Sequence, residues 1–435
     1  RDERNSLVGS EMCIRDSQPI ALRPLTERGE KHCYSGCGIL DDAGNPVLFY
    51  TSVGEGLRDA SIGAEQWVAR TVDGVTWMQA QENPVLTLAS HGGMKVCEWR
   101  DPYVWREEDG WYMVVGGGHD GVGCVLRYRS EDLLTWTFLG ILYEDPAYSI
   151  IECPNLLMFG DTAVLIFSPN EEVQVRIGHI GDTGRLELSM SGYTFDGGGW
   201  QGYYAPQTLK RKADRFIQWG WMPEGARGQV PEDAPLAERE ARTFDWAGVL
   251  SIPRELTLDA SGRLNIVPIP ELEALRGEPV QMAETTLVQD LTALPLKGLQ
   301  IEFMAAFHLD PDARIEISIF RSRTGEETIL RYDAGSCLLE LVRASSSLDP
   351  HTAREPLSVL HPLATDGLLQ LRVFLDVSTV EVFADDSSCL SGRVYPTGTD
   401  GEMAIRSAGS GSAILKELIA WPMKGIWDAP DSTAG

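Results

Sequence analysis

Apolar and polar positions alternate with a period of two from residue 32 to about 255, in short runs broken by Gly, Asp, Asn and Pro. Val47-Leu48-Phe49-Tyr50, Trp111-Tyr112-Met113-Val114-Val115, Cys124-Val125-Leu126-Arg127-Tyr128 and Ala163-Val164-Leu165-Ile166-Phe167 predict strands. Asp41-Asp42-Ala43-Gly44-Asn45 and Glu107-Glu108-Asp109-Gly110 predict hairpin turns. Long helical periodicity is absent, which makes this part all-β: a sandwich, a barrel or a propeller. An internal echo favours the propeller. Arg70-Thr71-Val72-Asp73-Gly74-Val75-Thr76-Trp77 recurs as Arg129-Ser130-Glu131-Asp132-Leu133-Leu134-Thr135-Trp136, with Arg, Asp, Thr and Trp at the same offsets. In each copy a strand feeds a tight turn and then a Trp able to pack between neighbouring sheets, as a repeated blade requires.

Residues 226–243 are rich in Glu, Asp, Pro and Ala and read as a surface loop. A short helix is expected near Pro268–Arg276, within a linker. Alternating strands return in Ile301–Met304, Ile315–Phe320, Leu369–Leu375 and Thr379–Ala384, the pattern of a two-sheet sandwich with one face of each sheet buried. The expected organisation is therefore a propeller over 18–265, a linker over 266–284, a sandwich over 285–424 and a disordered tail over 425–435.

Length and charge narrow the function. At 435 residues the chain exceeds one ordinary core and fits two domains. The formal net charge of −27 repels nucleic acid and anionic membranes, so neither is expected as a partner, and a neutral substrate such as a sugar is easier to accommodate. No apolar run is long enough for a transmembrane helix, so a soluble protein is expected, whether cytoplasmic or secreted. The eight cysteines form no CxxC pair and have no nearby His, so unpaired or buried thiols are expected rather than a zinc site. The stretch Ser6–Ser17 resembles a translated sequencing adapter, and residues 1–17 are expected to be a non-native leader, with the native gene beginning further upstream.

Candidate chemistry sits in polar islands within the apolar β segments. In Glu98-Trp99-Arg100-Asp101-Pro102 a carboxylate beside a guanidinium can stay ionised and grip sugar hydroxyls, and Pro102 should hold Asp101 extended. The alternative is a surface ion pair at a strand start. In Ile150-Ile151-Glu152-Cys153-Pro154 the acid stands among apolar residues, where burial would raise its pKa as a general acid requires. The alternative is an edge-strand Glu reaching water. Trp200, Tyr203, Tyr204, Trp219 and Trp221 crowd together with Asp196, Gln207 and Glu224. Such a set suits a sugar-binding wall and equally suits core packing between blades. Tyr34-Ser35-Gly36 is a weaker island.

In order, these islands resemble glycoside hydrolase family 32, the invertase, inulinase, levanase and fructan hydrolase family. Tyr34-Ser35-Gly36, Asp42-Ala43-Gly44 and Leu48-Phe49-Tyr50 resemble its fructose-binding strand and turn, Trp99-Arg100-Asp101-Pro102 its RDP motif, and Glu152-Cys153-Pro154 its ECP motif. Tyr204–Thr208, Trp219–Met222 and Trp246–Leu256 resemble later propeller landmarks. Val380–Phe383 with Arg393–Pro396 resembles the C-terminal sandwich. The resemblance implies a five-bladed propeller, its first blade incomplete here, followed by a β-sandwich. It implies retaining release of fructose from sucrose or β-fructans, without metal or cofactor. Glu152 would be the general acid/base, Asp101 the transition-state stabiliser, and Arg100, Tyr34, Ser35, Trp219 and Tyr204 substrate contacts. The family nucleophile is the Asp of an N-terminal Trp-x-Asn-Asp-Pro-x-Gly segment, and nothing like it precedes Tyr34. The polypeptide as given is therefore expected to be inactive or nearly so. A fructosyltransferase on the same scaffold and a non-catalytic carbohydrate-binding relative are the competing readings.

Overall fold

The computed structural model describes residues 19–54, 64–211, 215–225, 248–398 and 400–425. The leader expected over 1–17, the loop read over 226–243 and the tail beyond 425 lie outside them. The chain divides into two compact units.

One unit, Asp16–Phe195 with Ala205–Gln218, holds three antiparallel meanders of four strands, the third carrying a short fifth strand, Tyr193–Thr194, paired to its third. The first is β1 (His32–Leu40), β2 (Pro46–Val53), β3 (Ala64–Thr71) and β4 (Trp77–Gln79). The second is β5 (Cys97–Glu107), β6 (Gly110–His119), β7 (Val122–Ser130) and β8 (Trp136–Asp145). The third is β9 (Glu152–Phe159), β10 (Thr162–Ser168), β11 (Gln174–Ile180) and β12 (Leu186–Leu188). Their first strands, β1, β5 and β9, lie side by side, as the inner strands of propeller blades do. Alternation buries Val47 and Phe49 of β2 and Val104 of β5 in a shared core with Trp99, Met113 and Tyr128.

The sequence echo is a structural repeat. Asp73 Oδ1 accepts hydrogen bonds from the backbone N–H of Val75 and Thr76 at 2.9 and 2.7 Å. Asp132 Oδ1 does the same for Leu134 and Thr135 at 2.8 and 2.7 Å. These bonds hold each Asp ionised, well below the usual carboxylate range. Trp136 then packs edge-on against Phe49 of the neighbouring sheet, with centroids 5.8 Å apart.

Gly36 has an evident physical reason. A Cβ there would stand 1.8 Å from the Phe49 carbonyl oxygen, beside the bulge where the β1–β2 register shifts. Gly36→Ala is expected to destabilise the chain by about 2–3 kcal/mol, read from urea unfolding, because the obstacle is backbone that cannot rotate away.

The other unit contains Asp196–Tyr204 and Trp219 onward. Its core lies between a seven-stranded and a six-stranded antiparallel sheet, packed from alternate residues such as Ile301, Phe303, Ile315, Ile317, Val380 and Val382. A hairpin of Arg254–Leu258 with Leu264–Pro268 leads to a short 3₁₀ helix, Pro270–Leu275, where a helix was expected. The protein is thus all-β, blades followed by a sandwich.

Candidate active site

β5 and β9 bring Arg100, Asp101 and Glu152 together. Arg100 Nη2 donates to Glu152 Oε1 at 2.6 Å, Arg100 Nη1 pairs with the Glu98 carboxylate, and Arg100 Nε lies 3.9 Å from Asp101 Oδ2. One guanidinium therefore serves three carboxyl groups. Asp101 is 3% exposed, and its Oδ2 accepts the backbone N–H of Cys153 at 2.9 Å. Its own N–H donates to Thr51 Oγ1 at 3.0 Å, and Thr51 in turn donates to Gln66 Oε1 at 2.8 Å. Thr51 and Gln66 were not singled out in the sequence. Thr51 stands in a largely apolar strand, whereas the strand of Gln66 also carries Glu65 and Arg70 and gave no hint.

Two expectations need correction. Pro102 does not hold Asp101 extended: Asp101 has φ +66°, in the left-handed region, where the β5–β6 register shifts on both sides of Arg100. The hydrogen bonds to Thr51 and Cys153 anchor this unfavourable backbone, and such strain gathers at functional sites. The Asp101 carboxyl is acted on by opposing influences. Burial pushes its pKa up, and the Cys153 N–H and Arg100 only partly offset this. Glu152, in turn, is not surrounded by apolar side chains alone but lies in an ion pair with Arg100.

Tyr34 and Ser35 sit at the β1 bulge, on the strand beside β5, and both are exposed. Asn155, three residues after Glu152, fixes the next landmark: its Nδ2 donates to Pro206 O at 2.9 Å and its Oδ1 accepts the Thr208 N–H at 2.8 Å. Tyr204 and Trp219 belong to the other unit, Tyr204 buried and Trp219 half-buried. Three members of the aromatic island do structural work there. Tyr203 is fully buried under Arg254, Asp196 pairs with Arg254, and Glu224 pairs with Arg393 at 3.0 Å.

Behind the site, His91 is enclosed by Trp99 and Phe138, with centroids 4.9 and 5.1 Å away, and its Nε2 lies 2.7 Å from Tyr128 Oη. Burial pushes its pKa down from 6.5 to about 4. A depressed folded-state pKa means that the folded state binds fewer protons than the unfolded one. The stability contributed by neutral His91 is therefore complete above pH 6.5, declines as pH falls, and is lost through about pH 4. Urea unfolding across that window should show this decline, and His91→Gln should flatten it.

Two carboxyl groups on neighbouring inner strands, joined through one guanidinium, form a candidate glycoside-cleaving site. The comparisons give the family. The N-terminal domain model of glycosyl hydrolases family 32 matches residues 8–268, and the C-terminal model matches 271–422. The chain belongs to glycosyl hydrolase family 32. It is 31% identical over 425 residues to a sucrose-6-phosphate hydrolase of Escherichia coli, covering 93% of this chain and 83% of that protein. It is 28% identical over 427 residues to a raffinose invertase of Escherichia coli, covering 92% and 82%. Among solved structures, the family 32 β-fructofuranosidase of Bombyx mori superposes with a TM-score of 0.72 at 24% identity, covering 94% of this chain and 82% of that one.

Proposed function

We propose that this chain carries the acid/base half of a retaining fructosidase, and that its substrate is a neutral fructoside such as sucrose or a β-fructan. The observation that carries the reading is the convergence of Asp101 and Glu152 on Arg100, on the two strands that also carry the family motifs. In this reading Glu152 protonates the glycosidic oxygen as the bond to fructose breaks, then takes a proton from water in the second step. Asp101, fixed by the Cys153 N–H, accepts hydrogen bonds from fructose hydroxyls as charge develops on the ring. The attacking carboxylate belongs to a Trp-x-Asn-Asp-Pro-x-Gly segment, and none stands before Tyr34 in these 435 residues.

A neutral substrate is favoured by charge. Glu98, Asp101 and Glu152 surround a single Arg100, and the chain as a whole carries −27. A phosphorylated sugar would meet repulsion there.

The test compares the 435-residue chain with the same chain joined behind a family nucleophile segment, assayed for fructose release from sucrose and from sucrose 6-phosphate. The joined chain should release fructose, faster from sucrose, and the unjoined chain should be at or near background. Sugar binding without release by the joined chain would favour the binding-protein reading. Faster release from the phosphorylated sugar would remove the neutral-substrate proposal.

A further inference from the structure

We propose that Glu98 is a positioning residue, holding the Arg100 guanidinium so that its free edge is presented to Glu152. This rests on the assignment of Glu152 as general acid/base. Arg100 Nη1 is engaged twice by Glu98, through the carboxylate and through the backbone oxygen at 3.3 Å. Nη2 is then directed to Glu152 at 2.6 Å. The donors of a guanidinium lie in one rigid plane, so pinning one edge fixes the direction of the other. The backbone contributes as well. Glu98 has φ +51°, and the β5–β6 ladder is interrupted between Cys97 and Arg100. This left-handed bend accompanies the closure of the Glu98 carboxylate onto a residue two positions ahead in the same strand. The set is mostly shielded, with side-chain exposures of 34% for Glu98, 18% for Arg100 and 16% for Glu152.

Removing one acid leaves the other to neutralise Arg100. Removing both leaves a largely buried guanidinium with, among the described residues, Asp101 at 3.9 Å as its remaining carboxylate. Glu98 and Glu152 should therefore be coupled through Arg100. The experiment uses the full chain and urea unfolding of Glu98→Gln, Glu152→Gln and the double variant. The double variant should lose at least about threefold more in its folding equilibrium constant than the product of the single effects. Asp42, which pairs with Arg106 further along β5 at 3.0 Å, is the control: Glu98→Gln and Asp42→Asn should combine without coupling. A second readout follows geometry directly. With ¹⁵N-labelled arginine, Arg100 should show slow guanidinium rotation and separate Nη signals. Glu98→Gln should collapse them and Glu98→Asp should restore them in part. Additive single effects, or an Arg100 spectrum unchanged in Glu98→Gln, would overturn the proposal. If coupling is present but the completed enzyme releases no fructose, the positioning geometry stands and the catalytic reading falls.

Discussion

Glu152→Gln, made in the chain joined to a nucleophile segment, is expected to lower sucrose turnover by about 10²–10⁴-fold, the usual contribution of a positioned general acid/base. The substitution preserves shape, and a glutamine oxygen can still accept from Arg100 Nη2, so the fold should be nearly unaffected. What is lost is the transferable proton. A lost proton donor has a recognisable kinetic pattern. A fructoside whose leaving group departs as a stable anion needs little protonation, so the first step on such a substrate should lose far less than on sucrose. The second step, in which Glu152 would activate water, should then become limiting and the fructosyl-enzyme should accumulate. Steady-state turnover on both substrates, with a burst measurement on the activated one, checks this. Sucrose turnover close to the parent value would remove Glu152 from the role.

Asp101 and Glu152 were legible because their motifs are contiguous, each lying on a single strand. Their shared dependence on Arg100 was suggested for Asp101 by adjacency alone, and for Glu152 not at all. That contact crosses from β5 to β9 and spans 52 positions. The left-handed backbone at Asp101 was not legible either. Pro102 argued for extended geometry, and only a register shift set by the partner strand overrides that local preference. The blades were readable from period-two alternation, and the Asp-anchored turn from its repetition. His91 gave no signal, because its aromatic enclosure is assembled from three separate segments. The landmarks Arg254 and Glu381 were read as marks of the family, and their physical role emerges only in three dimensions.

That role supplies the other large effect: Arg254→Met is expected to destabilise the chain by about 3–5 kcal/mol at neutral pH, as breaking a buried ion pair from one side does. Arg254 Nη1 lies 2.8 Å from Asp196 Oδ2, and Nη2 lies 2.8 Å from Glu381 Oε2, with all three side chains at most 1% exposed. The acids are also tied to backbone: Asp196 Oδ1 accepts the N–H of Ser391 at 2.9 Å, and Glu381 Oε1 accepts that of Ile252 at 2.8 Å. The guanidinium stacks 4.0 Å from the centre of the Tyr203 ring. Methionine fills much of the volume but leaves two buried carboxyl groups without their cation. Burial already pushes the pKa of Glu381 up, with Arg254 opposing that push. Without Arg254 the push is unopposed, and the folded state takes up protons that the unfolded state does not hold. A raised folded-state pKa makes stability grow as pH falls, so the penalty should shrink between about pH 8 and pH 5.5. Adding Asp196→Asn and Glu381→Gln to Arg254→Met removes the stranded charges and should recover much of the loss at pH 8, because a neutral core there needs no cation. Urea unfolding at both pH values measures all of this. A penalty below about 1 kcal/mol, or one indifferent to pH, would mean that packing rather than charge holds this buried cluster.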